Sequence, residues 1–179
     1  NNKVVIAYRD AGNSGHGTAI VGTIDSSDNS ITFGSPTVFQ SSNVNSFLSA
    51  TFDSTNNKVI FAYQEATNGQ GYAVVGTVSG TSISFGSSAI FDDSSQGGKE
   101  SSITLDSNAG KPVIAYQDGG NSNYTTAIVC TVSGTSISFG TPVVVESGTT
   151  NHVHITFDST NNKVVIPYRV SGMGKAKVG

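Results

Sequence analysis

The chain has 179 residues, a formal net charge of −3 and a charged fraction of only 12%. Its nine lysine and arginine residues form no cluster, which argues against a nucleic-acid partner, since nucleic-acid binding calls for a basic surface. The longest apolar runs have about five residues, far short of the roughly 20 that a membrane-spanning helix needs, so we expect no membrane insertion.

The segment Lys3–Asp10 is predicted to form a β-strand, and similar segments occur three more times along the chain. We call this strand b of each repeat. Counted from Lys3 to Lys58, Lys111 and Lys163, the steps are 55, 53 and 52 residues. The apolar residues of strand b are consecutive rather than alternating, which predicts burial on both faces. We therefore interpret residues 1–179 as one repeat domain, divided into repeats 1–55, 56–108, 109–160 and a partial repeat 161–179.

Three further strands complete each repeat. Strand c follows a Gly-, Asn- and Ser-rich loop and covers residues 18–24, 72–78 and 126–132. Strand d, at 31–39, 83–91 and 137–145, begins with apolar and polar residues in alternation, which predicts one buried face. Polar loops, at 40–46, 92–100 and 146–151, lead to strand a of the next repeat, at 48–52, 102–105 and 153–157. No window of ten or more residues has the 3.6-residue apolar period of a helix.

Four hairpin-linked strands in each repeat of roughly 53 residues predict an all-β fold. Such a unit is typical of a four-stranded β-propeller blade, which buries its faces against neighbouring blades. A β-sandwich or a β-solenoid array of the same strands is the alternative.

The first repeat lacks strand a, and the last repeat lacks strand d. Either the chain is a piece of a longer array, or its terminal strands complete a blade in a neighbouring molecule. Because natural sheets avoid unpaired edges, both interpretations predict β-strand contacts beyond this chain. The candidates for self-association are the apolar residues of the terminal strands: Val4, Val5, Ile6, Val164, Val165, Ile166 and Val178.

The connecting segments fall into two classes. The a–b turns and the c–d turns are nearly identical between repeats, whereas the b–c and d–a loops vary in length and content. In a propeller the variable loops share one face, which is then the candidate surface for binding cell-surface glycans. Alternatively, these loops are simply unconstrained.

Acidic and histidine side chains provide only weak metal-site candidates. Asp10 and Asp118 occupy one repeat position after the tyrosine of strand b, in loops whose oxygens could hold calcium. Aspartate also caps turns through its own backbone, which explains the same pattern without a metal. His152 and His154 lie two apart on a predicted strand and share a face, but no third ligand accompanies them. We expect no metal and no cofactor.

Cys130 and Asn123 are two further residues with a predicted role, and no set of catalytic groups is recognisable in the sequence. Cys130 replaces the glycines of the other repeats, so a packing role is favoured over a reactive thiol. Asn123 begins the sequon Asn-Tyr-Thr in a predicted loop and is a glycosylation candidate. No nucleophile, base and orienting group stand at a recognisable spacing, and we expect no enzymatic activity.

The repeat unit as a whole carries a resemblance. Its elements are Ala-Tyr-Arg-Asp (7–10), Gly-Thr-Ala-Ile-Val-Gly-Thr (17–23) and Ser-Gly-Thr-Ser-Ile-Ser-Phe-Gly (79–86). It resembles tandem-repeat, propeller-like fibre or surface proteins of phages and bacteria from aquatic environments. The resemblance implies a location outside the cell or on the virion surface. It defines no catalytic or binding residue that could be carried over.

Three functions remain as hypotheses. The leading one is a non-enzymatic structural module of an extracellular or virion fibre, which associates with itself as a homo-oligomer or filament. The alternative is a propeller lectin or adhesin that binds surface glycans through the b–c and d–a loops. The third is a glycoside-processing enzyme, for which no pair of carboxylates can be nominated.

Overall fold

The computed structural model describes residues 2–179, with the side chain of Ser46 outside that description. These described residues form seventeen β-strands, β1 to β17, and two 3-10 turns, Ala11–Asn13 and Gly119–Asn121. No α-helix occurs in this range, and therefore it contains no helix that is long and apolar enough to cross a membrane. All strand pairs are antiparallel, so the predicted all-β class is confirmed.

The strands form three hydrogen-bonded sheets of eight, five and four strands, and the eight-stranded sheet spans the first two repeats through the shared strand β4. We divide it at β4 and describe four sheets, one for each repeat. Sheet 1 contains β1 (Lys3–Asp10), β2 (His16–Asp25), β3 (Ser30–Phe33) and the first part of β4 (Thr37–Asp53). Sheet 2 contains the rest of β4, β5 (Lys58–Glu65), β6 (Gly71–Ser79), β7 (Ser82–Phe85) and β8 (Ala89–Asp92). Sheet 3 contains β9 (Lys99–Asp106), β10 (Lys111–Asp118), β11 (Tyr124–Ser133), β12 (Ser136–Phe139) and β13 (Val143–Glu146). Sheet 4 contains β14 (Thr150–Asn151), β15 (Thr156–Asp158), β16 (Lys163–Val170) and β17 (Met173–Val178).

Each sheet follows the predicted order of strands. In sheets 2 and 3, strand a pairs with b, b pairs with c, and c pairs with d. Strand d consists of two short segments, and both pair with the same strand c. The Gly34, Gly86 and Gly140 positions separate the two segments, and each glycine N–H donates to a carbonyl of strand c.

Two of the predicted boundaries are wrong. Residues 40–46 form no loop, because β4 runs without interruption from Thr37 to Asp53. Its first part pairs with β2 of sheet 1 and its second part with β5 of sheet 2, with a register shift between Val44 and Leu48. In sheet 4, strand a is broken between β14 and β15, where His152 has a φ of 54°. A left-handed residue turns the backbone away from the extended conformation, and here the strand pairing stops after Asn151 and resumes at Thr156.

The consecutive apolar residues of strand b are buried on both faces, as predicted. In β5, Ile60 and Ala62 belong to the core between sheets 2 and 3. Phe61 and Tyr63, which alternate with them, belong to the core between sheets 1 and 2. Side chains of a strand point alternately to its two sides, so this strand supplies two interfaces at once.

Sheets 2, 3 and 4 approach each other most closely at their a strands. The N–H of Ile103 donates to Ser49 Oγ over 3.2 Å, and the N–H of Ile155 donates to Ser102 Oγ over 3.3 Å. These two bonds join equivalent positions of successive repeats. Contacts between the outer strands of neighbouring sheets are much sparser, so the sheets fan outward from their a strands. Within residues 2–179 the four sheets do not close into a ring.

Candidate functional site: the outer faces of the end sheets

The terminal sheets each cover a neighbour on one side only. In β1 of sheet 1, Val5 and Ala7 pack against sheet 2. Val4, Ile6 and Tyr8 alternate with them and therefore point away from the rest of the molecule. The residues that repeat the position of Ile6 in sheets 2 and 3, Phe61 and Ile114, are fully buried, whereas Ile6 is exposed.

Strand d of sheet 1 shows the same contrast with better matched residues. The isoleucine at its centre is Ile31, and the equivalents in sheets 2 and 3 are Ile83 and Ile137. Ile31 is 46% exposed, whereas Ile83 is 5% and Ile137 is 7% exposed. The residue type, the strand and the pairing register are the same, so the missing cover is a preceding sheet. The outer face of sheet 1 consists of Val4, Ile6, Ile20, Ile24, Ile31 and Phe33.

Sheet 4 has an open face on its opposite side. Ile166, Tyr168 and Val170 of β16 pack against sheet 3. Val165 and Pro167 alternate with them and point outward, and Val178 of β17, which lies directly across from Val165, is 65% exposed. The outer face of sheet 4 consists of Val165, Pro167, Ala176 and Val178.

The candidates for self-association divide between these faces and the interior. Val4 and Ile6 lie on the outer face of sheet 1, and Val165 and Val178 lie on the outer face of sheet 4. Three other candidates pack inward: Val5 against sheet 2, and Val164 and Ile166 against sheet 3. The alternation of side chains along a strand makes only every second residue available to another molecule.

Several outer-face residues lie outside the candidates predicted from the sequence. Ile24, Ile31 and Phe33 are not in the terminal strands, to which the predicted self-association candidates belong. A signal was present in the sequence, because strand d alternates apolar and polar residues and so has an apolar side that needs cover. Within residues 2–179 no sheet covers that side of sheet 1.

Asp10 and Asp118 each close a 3-10 turn. Asp10 Oδ1 accepts a hydrogen bond from the N–H of Gly12, and Asp118 Oδ1 accepts one from the N–H of Asn121, both over 3.0 Å. The two carboxylates belong to sheets 1 and 3 and do not come together. Within residues 2–179, no group of three or more His, Cys, Asp or Glu side chains is arranged to hold a metal ion.

The two histidines line the inner rim of the sheets. His152 and His154 are exposed, and with Glu100 and Ser102 they border a cavity of about 320 Å³ at the a strands. The Glu100 carboxylate accepts a hydrogen bond from the N–H of Val153 over 3.1 Å. Because the strand is broken at His152, the two histidines do not form the regular strand pair that the sequence predicts.

A cleft of about 570 Å³ opens between sheets 2 and 3 at the variable loops. Asp92 and Asp118 face it from the two sheets, and Asn121 and Ser94 line it beside them. Burial, and then the neighbouring charge of Asp92, raise the pKa of Asp118. Burial also raises the pKa of Tyr116, with smaller contributions from both carboxylates. No sequence pattern indicates this juxtaposition, because the two aspartates belong to different repeats.

Cys130 and Asn123 lie where their predicted environments place them. Cys130 is fully buried in the core between sheets 2 and 3, and burial raises the pKa of its thiol to about 12. Asn123 is partly exposed in the loop before β11, and its backbone carbonyl accepts a hydrogen bond from the N–H of Thr150 over 2.9 Å.

No protein-family model matches this sequence, and no curated protein is significantly similar to it.

Proposed function

We propose that this chain is a non-enzymatic structural repeat module that associates with itself through the outer faces of sheets 1 and 4. The observation that carries the proposal is the exposure of Ile31, at a position that is buried in both following repeats. Apolar side chains contribute about 1.5–3 kcal/mol each when fully buried, so an apolar face left open is a strong driving force for association.

The two outer faces complement each other because the same interface already occurs inside the chain. Between sheets 1 and 2, one side is formed by Val5, Ala7 and Val21, and the other by Phe61, Val74 and Ile83. In the repeat alignment, Val165, Pro167 and Val178 on the outer face of sheet 4 are equivalent to Val5, Ala7 and Val21. Likewise, Ile6, Ile20 and Ile31 on the outer face of sheet 1 are equivalent to Phe61, Val74 and Ile83.

The architecture that we propose for the repeat is the four-stranded propeller-type blade. It is supported by the a-b-c-d order of sheets 2 and 3 and by the fan of sheets around their a strands. A sandwich would pair two sheets around one core, whereas here β5 and β10 each contribute to two cores.

For the setting of this module, we propose an extracellular or virion-surface fibre. The support is the low charge of the chain, its repetition and the resemblance of its repeat unit to phage and bacterial fibre proteins. A fibre component needs stable, directional contacts between identical subunits and no catalytic groups.

Two variants and their mixture test the self-association. Ile31→Asp places a charge on the outer face of sheet 1, and Val178→Asp places one on the outer face of sheet 4. Analytical ultracentrifugation of the wild type should give oligomers that grow with concentration, and each variant alone should remain a monomer. An equimolar mixture should form a heterodimer and nothing larger, since one intact face remains on each variant.

The control is Thr32→Asp, an exposed residue beside Ile31 on the same strand. It should associate like the wild type. A wild type that stays monomeric at every concentration would exclude the proposal. A Val178→Asp variant that still dimerises alone would show a symmetric contact between two sheet 1 faces instead.

A second function, glycan binding at the variable loops, is favoured by the cleft between sheets 2 and 3. Carboxylate and amide groups such as Asp92, Asp118 and Asn121 are suited to hydrogen bonding with sugar hydroxyls. A glycan array probed with the wild type and with Asp118→Asn tests this function. Asp158→Asn, in an a–b turn away from the cleft, is the matched control. Equal binding by all three proteins, or none by the wild type, would argue against a glycan site in the cleft.

A further inference from the structure

An apolar groove of about 400 Å³ lies between sheets 3 and 4 at the outer rim. Sheet 3 contributes Val129, Val143 and Val145 to its walls, and sheet 4 contributes Val164 and Ile166. Val143 is 63% exposed, and Val129 is also exposed. The equivalents of Val129 in sheets 1 and 2, Val21 and Val75, are fully buried. At the outer rim, the interface between sheets 3 and 4 is therefore less complete than the interfaces between sheets 1 and 2 and between sheets 2 and 3.

Strand d of the following sheet fills the equivalent space at the two inner interfaces. Between sheets 1 and 2, Phe85 of β7 packs against Phe39, with ring centroids 5.7 Å apart. Between sheets 2 and 3, Phe139 of β12 packs against Phe91, with centroids 6.0 Å apart. The residue that repeats Phe39 and Phe91 in sheet 3 is Val145, and it lines the groove.

The backbone beside the groove also lacks a neighbour. Among the described residues, β17 pairs with β16 on one side and with no strand on the other. The equivalent strands β2, β6 and β11 all pair on that second side with a strand d. An unpaired strand edge presents N–H and C=O groups that can pair with an added strand.

From these features we infer that the groove is a binding site for an extended β-strand with the apolar pattern Ile-Ser-Phe-Gly. The occupant is strand d of another repeat unit of this kind, added antiparallel to β17. Its isoleucine and phenylalanine enter the groove against Val129 and Val145, as Ile137 and Phe139 enter the interface between sheets 2 and 3. Main-chain pairing supplies affinity, and the two side chains supply specificity.

Charge favours the same occupant. Lys177 lines the groove, and Lys175 lies 3.8 Å from the Glu146 carboxylate. The strand d segments of repeats 2 and 3 end in the acidic residues Asp92 and Glu146. An incoming strand of this sequence brings a carboxylate to an edge that carries two lysines, whereas lysines on an edge disfavour indiscriminate pairing.

This site rests on the groove and on the edge of β17, and it stands whether or not the outer faces of two copies stack. Its test is a titration of the 179-residue protein into a fluorescein-labelled synthetic peptide of residues 134–146, followed by fluorescence anisotropy. We expect saturable binding, and perturbation of the backbone amide signals of residues 173–179 in an NMR spectrum. Replacement of Phe139 by Asp in the peptide should weaken binding at least about tenfold, equivalent to about 1.4 kcal/mol.

A matched pair of protein variants locates the peptide. Val129→Glu alters an exposed groove residue and should weaken binding about tenfold or more, whereas Ile6→Asp, on the outer face of sheet 1, should bind the peptide like the wild type. Sedimentation of the same two variants separates this site from stacking, because Ile6→Asp should lose self-association and Val129→Glu should keep it. Absence of saturable binding up to about 1 mM peptide, equal binding to both variants, or equal binding of the Asp-substituted peptide would overturn the inference.

Discussion

The comparison of Ile31→Ala with Ile83→Ala measures how open the outer face of sheet 1 is. Both changes remove three carbon groups from the same repeat position, and full burial of each group is worth about 0.8 kcal/mol. Ile83 is 5% exposed, so its truncation loses about 2.4 kcal/mol of transfer free energy and adds the cost of a cavity. Ile31 is 46% exposed, so its truncation loses roughly half the transfer term and leaves no enclosed cavity. We expect losses in the free energy of unfolding of about 3–4 kcal/mol for Ile83→Ala and about 1 kcal/mol for Ile31→Ala.

Thermal unfolding at low protein concentration is the assay. The chain has no tryptophan, so far-UV circular dichroism follows the loss of the sheets. In a domain of this size, 1 kcal/mol shifts the Tm by about 2–4 °C, so Ile83→Ala should lower the Tm by about 10 °C and Ile31→Ala by about 3 °C. Ile137→Ala, at the buried position of sheet 3, serves as a second inner control.

Equal losses for Ile31→Ala and Ile83→Ala at low concentration would refute the reasoning, because the outer face would then be covered within a single molecule. A loss for Ile31→Ala that grows with protein concentration would show that a second copy covers the face. The stability of an associating protein depends on concentration by mass action.

Three further predictions concern buried groups. Cys130 is fully buried, and burial raises its pKa to about 12, so a thiol reagent such as DTNB at pH 8 should react with the unfolded chain and not with the folded one. Burial raises the pKa of Tyr63 and of Tyr116, so the folded state holds both phenolic protons above pH ~10, where unfolded tyrosines lose them. The free energy of unfolding should therefore fall above that pH, by about 1.4 kcal/mol per pH unit for each tyrosine, in urea titrations at several alkaline pH values. Asp53 and Asp158 accept equivalent hydrogen bonds from the backbone of their turns, but only Asp53 is fully buried. Asp53→Ala should cost about 1–3 kcal/mol in urea unfolding and Asp158→Ala clearly less, and equal costs would contradict this account.

The strands and their faces could be predicted from the sequence because they depend on local patterns. The consecutive apolar residues at 59–62 predict a strand buried on both sides, and β5 has that environment. The Asp-Ser-Thr-Asn-Asn turns could likewise be anticipated, since aspartate accepts hydrogen bonds from the following backbone.

The features that escaped prediction depend on contacts between distant residues. Residues 40–46 are polar and look like a loop, but they continue a strand because β2 and β5 pair with its two halves. The cleft between sheets 2 and 3 brings Asp92 and Asp118 together from separate repeats. The exposure of Ile31 cannot be derived from its own sequence environment, because Ile83 and Ile137 have nearly the same neighbours along the chain. What differs is the presence of a preceding sheet.

The internal interfaces are directional, and this direction limits the assemblies that the chain can form. Each interface joins one side of a sheet to the opposite side of the next, so a contact between copies that repeats it is heterologous. A heterologous contact closes a ring if the rotation between subunits returns to its start, and otherwise continues as a helical filament. Because the backbones of sheets 2, 3 and 4 come closest at their a strands and diverge outward, each step carries a rotation. A straight, untwisted stack of sheets is therefore incompatible with this interface, and electron micrographs of the assembled protein should contain closed rings or twisted filaments.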